Sequence, residues 1–184
     1  MVFCAICHVG GLCFLIVLEY AVKVMWGKIR GNGKMTGLQR DLAAYGAYHR
    51  DGRNVATHCV GIPLIVVAIE VILARAGGVG LVAVAALAAG VYYLWLDVGL
   101  GVALCLFLGL GAAFGLWVGS WGLGVGLFVM GWVMQFVGHA FEGRKPAFFD
   151  DVRSLLTGPV FVAAEMAVGL GLRRALGAGE DNAG

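Results

Sequence analysis

The chain has 184 residues, 61% of them hydrophobic and only 13% charged, with a mean hydropathy of +0.91 and a formal net charge of +2. A soluble domain is nearer 45–50% apolar and about 25% charged, so this composition excludes an ordinary aqueous fold. The small basic excess sits in short clusters at the ends of apolar runs, which suits membrane orientation and excludes a nucleic-acid-binding role.

Residues 2–22 form the first apolar run, followed by Lys23, Lys28 and Arg30. With no basic region ahead of it and no clear cleavage site, it reads as an anchor rather than a secretory signal. Inside it, Cys4, Cys7 and His8 match the short pattern for covalent haem attachment, but in a hydrophobic setting that makes apolar filler the simpler reading. Gly31 to Lys34 form a polar joint before Met35, so residues 1–34 are expected to be an extension or a misplaced start.

From Thr36 to His49, Leu38, Leu42 and Tyr45 mark an amphipathic helix at a membrane surface. Asp51-Gly52 breaks it, and Asn54 is the expected N-cap of a helix starting at Val55. His49 and His58 are nine residues apart, about 900° of rotation on one helix, and would face opposite ways. Only a turn between them lets both rings address one centre.

Four apolar segments follow, Val55–Ala74, Val79–Leu96, Val98–Val118 and Trp121–Val137, each near the ~20 residues needed to cross a bilayer. The expected fold is therefore all-α and polytopic: a bundle of four transmembrane helices, an N-terminal apolar segment, and a C-terminal apolar helix over Leu155–Leu172 that crosses a fifth time or dips and returns. Gly111, Gly115 and Gly119, four apart, form a small-residue face for close helix packing. Residues 35–176 make one membrane domain, and 177–184 a disordered tail. Four crossings are even, so His58 and His139 share a membrane face. Arg40, Arg50, Arg53, Arg144, Lys145 and Arg153 mark that face as cytoplasmic.

Three histidines, His49, His58 and His139, thus converge at one interface. Imidazoles with oxygen donors suit iron or zinc, and the lack of nearby thiolates argues against a structural zinc site. Glu142, three residues after His139 and on the same helix face, serves as a further ligand or as an acceptor orienting the rings; Asp51 and Asp150 are also within the stretch. Arg50 and Arg144 suit bidentate capture of a substrate carboxylate, although solvated headgroup contact is the simpler role. Glu70 and Glu165 lie inside apolar segments, where ionisable groups face a bundle interior.

Tyr48-His49-Arg50-Asp51-Gly52-Arg53-Asn54-Val55-Ala56-Thr57-His58, Gly61-Ile62-Pro63, and Gln135 through Ala147 with its Gly138-His139 and Glu142-Gly143-Arg144-Lys145-Pro146 resemble the membrane family of the fungal 2-hydroxy-fatty-acid dioxygenase, from about Tyr45 to Leu172. The resemblance implies an Fe(II)-dependent enzyme of fatty acid α-oxidation that splits C1 from C2 of a 2-hydroxy fatty acid with dioxygen, leaving an acid one carbon shorter. It implies His49, His58 and His139 as iron ligands; Glu142, Arg50 and Arg144 are the further catalytic candidates that the residues themselves offer. A substrate chelating through its carboxylate and hydroxyl suits a centre with few protein ligands, its acyl tail lying between Gly-rich helices. The bacterial inner membrane, or the endoplasmic reticulum of a eukaryote, is the expected host bilayer, and a homo-oligomer is left open. A zinc-dependent lipid hydrolase and a non-catalytic scaffold or transporter are the competing readings, separable by metal content and oxygen consumption.

Overall fold

A computed structural model describes residues 37–151 and 153–167. The N-terminal run with Cys4, Cys7 and His8, and the expected tail at 177–184, lie outside the described residues. Every regular element among the described residues is helical: α1 (Gly37–Ala47), α2 (Gly52–Leu96), α3 (Val98–Val118), α4 (Trp121–Glu142), a 3-10 turn (Ala147–Phe149) and α5 (Ser154–Ala167).

Three helices, α2, α3 and α4, are long and apolar enough to cross a membrane. The expected separation of Val55–Ala74 from Val79–Leu96 takes the form of a break within α2. Gly77 (φ −139°, ψ 16°) and Gly78 (φ 61°, ψ −154°) leave helical conformation, the latter in a region only glycine enters easily. The rods on either side are roughly 37 and 27 Å long at ~1.5 Å per residue. Both line a common cavity, through Val66 and Ile69 on one and Ala86 and Ala89 on the other, so the second rod folds back along the first.

Glycine sets how closely the rods approach. A Cβ at Gly115 would lie 3.0 Å from the Glu70 carbonyl oxygen and the Val71 Cα, and one at Gly131 would lie 2.9 Å from the Gly61 carbonyl oxygen. Backbone thus meets backbone where α2 faces α3 and α4, as in small-residue packing within lipid. Of the three expected packing glycines, Gly111 and Gly115 are buried at the α2–α3 contact. Gly119 is instead exposed and ends α3 in left-handed conformation (φ 51°). Along α4, Gly124 faces Ile72, Gly131 faces Ile65, and Gly138 faces Asn54 and Thr57, so α4 returns antiparallel to the first rod.

One more boundary differs from expectation. Asp51, not Asn54, caps α2: its side chain accepts from the Arg53 N–H at 2.8 Å, and helix begins at Gly52. Asn54 is consequently inside the first turn and fully buried. The described part of the C-terminal apolar segment is α5, whose 14 residues run about 21 Å. Val160 and Ala163 of α5 pack with Leu38, Tyr93 and Leu100, closing the end of the bundle where the histidines lie.

Candidate metal centre

His49 lies just beyond α1, in the two-residue turn before the Asp51 cap. Its Nδ1 lies 2.7 Å from the Tyr45 carbonyl oxygen, and the Tyr45 ring stacks on the imidazole at 4.2 Å and 11°. His58, one turn after Asn54 on α2, places Nδ1 2.9 Å from the Asn54 carbonyl. A carbonyl accepts only, so each Nδ1 carries the hydrogen and each Nε2 a free lone pair. Those two Nε2 atoms are 3.1 Å apart.

His139 comes from the last turn of α4, its ring centroid 4.9 Å from that of His58 and 5.1 Å from that of His49. All three rings are buried, at 5% exposure or less, and one ligand nitrogen from each lies within 4.8 Å of the others. The His139 Nδ1 is buried with no hydrogen-bond partner. Two lone pairs facing at hydrogen-bond distance, with an unpartnered nitrogen beside them, are unfavourable unless a cation sits between them. The donor set therefore fits a metal ion.

Electrostatics favour neutral, ligating rings. Burial holds His49 below its ordinary imidazole value, against opposing effects of the Tyr45 carbonyl bond and the Glu142 charge. Burial also pushes the Tyr45 phenol far up. Hydrogen bonds from Arg53 bring the Asp51 carboxyl down to about 2, which keeps the α2 cap ionised.

Glu142 does not face the ring cluster as a bare carboxylate. It accepts from the Arg50 N–H at 3.0 and 3.1 Å, the Asp51 N–H at 2.8 Å and the Asn54 side-chain amide at 3.1 Å. It thereby fastens the turn carrying His49 to the end of the helix carrying His139. Arg50 and Arg144 are exposed at this end of the molecule, and Arg144 Nη1 donates to the Ala47 carbonyl at 3.4 Å. Neither lines the cavity that the histidines open onto. Arg53 lies over the Phe141 ring at 4.5 Å, and Lys145 pairs with Asp150 at 2.6 Å.

That cavity, of about 440 Å³, touches His58 and His139 at one end and is walled mostly by apolar side chains of both α2 rods, α4 and α5. Asn54, Tyr45 and Gln135 are site residues that sequence reasoning passed over. Asn54 bonds Glu142, Tyr45 supports His49, and Gln135 lines the cavity one turn before His139. The i−4 spacings of Tyr45 from His49, Asn54 from His58 and Gln135 from His139 were the available signal, since residues four apart share a helix face. Glu70 lines the cavity and is buried, whereas Glu165 is half-buried.

A family model for 2-hydroxy-palmitic acid dioxygenase Mpo1-like proteins matches residues 35–170. The chain is 35% identical over 143 residues to the 2-hydroxy-palmitic acid dioxygenase MPO1 of Saccharomyces cerevisiae, covering 73% of this chain and 82% of the yeast protein. No solved structure matches it.

Proposed function

Because the chain belongs to the 2-hydroxy-palmitic acid dioxygenase Mpo1-like family, we propose that it is an iron-dependent membrane dioxygenase cleaving the C1–C2 bond of 2-hydroxy fatty acids. The observation that carries this reading is the 3.1 Å approach of two imidazole lone pairs, joined by His139, at one end of an apolar cavity. His49, His58 and His139 would hold the metal, and when bound, ferrous iron supplies the redox chemistry that lets ground-state dioxygen react with the hydroxy acid.

The chain's own residues do the rest. The Tyr45 and Asn54 carbonyls hold two rings in the ligating tautomer, and Glu142 fixes the turn on which His49 is mounted. The apolar cavity receives the acyl chain and keeps water from the reacting end. Arg50 and Arg144, exposed at the same end, suit a carboxylate arriving from the interface. The overall equation, R–CH(OH)–COOH and dioxygen giving R–COOH, carbon dioxide and water, balances without a separate reductant. A chain that supplies only metal ligands and a lipid cavity is therefore sufficient.

The break at Gly77–Gly78 supports reading α2 as two passes and the bundle as four, which would bring the histidine end back to one face. Exposed Arg50, Arg53, Arg144 and Lys145 at that end favour the cytoplasmic side. Purified protein given Fe(II), dioxygen and 2-hydroxypalmitate is expected to form pentadecanoic acid. An iron-loaded, folded sample that consumes no oxygen and forms no shortened acid would overturn the proposal.

A further inference from the structure

We infer that Glu70 is the far wall of the acyl cavity and sets the length of the 2-hydroxy acid that the site accepts; this rests on the reading just given. Glu70 and His58 lie on the same rod, twelve residues apart, an axial distance of about 18 Å. Both line one cavity, together with His139 and Leu73, so along the rod Glu70 and Leu73 stand at the end away from His58.

The Glu70 side chain is 4% exposed, and neither carboxyl oxygen has a hydrogen-bond partner. An unpartnered carboxyl in an apolar interior is costly, and an apolar residue of similar volume would fill the same space without that cost. Its position is also locked. The carboxyl group sits in the hollow above Gly111, where a Cβ would collide with Oε2, and the Glu70 backbone lies against Gly115. A longer acyl chain therefore finds a group that cannot retreat towards α3, and a terminal methyl gains nothing by pressing on a polar wall. The wall has a fixed depth, and depth measured from the metal centre is chain length.

Three variants test this in the full-length, detergent-purified protein. Glu70→Ala removes the wall and is expected to move the preference to longer acids. Gly111→Ala fills the hollow, pushes the carboxyl into the lumen and is expected to move it to shorter ones. Glu70→Gln keeps the bulk and is expected to keep the wild-type profile. Each methylene admitted or excluded should change selectivity by about tenfold.

The first readout is displacement of a fluorescent fatty acid by 2-hydroxy acids from laurate to arachidate, which requires no turnover; the second is kcat/KM for the same series with Fe(II). A wild type with a length preference that Glu70→Ala leaves in place would overturn the inference. A shift in Glu70→Gln as large as in Glu70→Ala would also overturn it, by assigning the effect to charge. Wild-type protein that neither binds nor cleaves any acid in the series would instead overturn the functional reading. Should Gly111→Ala not fold, the contrast between the two Glu70 variants decides.

Discussion

His49 and His58 present their Nε2 atoms to each other at 3.1 Å while the Nδ1 of each is committed to a backbone carbonyl four residues earlier. While both are neutral, neither ring can donate to the other without giving up its carbonyl bond. The pair is held in a geometry that a cation relieves.

Metal content is the direct consequence. Purified protein is expected to carry metal in a one-to-one ratio, and His49→Ala, His58→Ala and His139→Ala each to lose it. The loss should exceed the ~10–100-fold weakening that accompanies removal of outer-shell partners. Elemental analysis of the four proteins checks this, and iron retained by His58→Ala would contradict the assignment.

Glu142 holds the His49 turn without entering the ring cluster, so its replacement should weaken metal binding less than loss of a ligand. Glu142→Ala is expected to reduce affinity for the ion by about 10–100-fold. Asn54→Ala, which removes one of the bonds to that carboxylate, should fall between Glu142→Ala and wild type. Competition with a chelator of known affinity gives the order.

Two glycines on α4 separate bundle packing from site geometry. A Cβ at Gly131 would meet Ile65 Cγ1 at 2.6 Å, away from the rings, while one at Gly138 would strike Thr57 and Asn54 and lie 3.2 Å from His58 Nδ1. Both alanine variants should lose roughly 1–3 kcal/mol of stability through overpacking. Only Gly138→Ala should also lose metal at temperatures where it remains folded. Thermal unfolding beside metal analysis reads both effects.

Acid should act on the metal-free protein through His49, whose value burial lowers from the ordinary imidazole range. With the folded value below the unfolded one, the unfolded chain binds the proton first. Stability contributed by the neutral ring is therefore present above about pH 6.5 and lost as pH falls from there towards the folded value. The apparent unfolding temperature of the metal-free protein should decline over that window. The decline should be smaller in His49→Gln, and metal loading should move its onset to lower pH as protons compete with the ion.

The histidines were legible because their positions follow from a discrete argument: Asp51-Gly52 had to turn the chain, and the number of apolar segments had to bring it back. Local cap chemistry was less decisive. Asp51 and Asn54 are both good N-caps, and the choice fell to Asp51 because Asn54 is needed inside the first turn as a donor to Glu142, a contact 88 residues away in sequence. Gly119 shares the spacing of Gly111 and Gly115, but spacing does not say where a helix stops. The role of Glu142 as a fastening could not be seen either, because two of its three partners are backbone N–H groups, which any residue type but proline at 50 and 51 would offer.

The fastening between Glu142 and the Arg50 N–H joins positions 92 residues apart, and His139 follows His58 by 81. A growing chain that has reached only α3 therefore carries His49 and His58 with neither the third imidazole nor the carboxylate that secures their turn. The set of three imidazoles is complete only after the last rod has returned. Capture of an ion would then report on completed insertion, and a half-built bundle would be left without the three-histidine site.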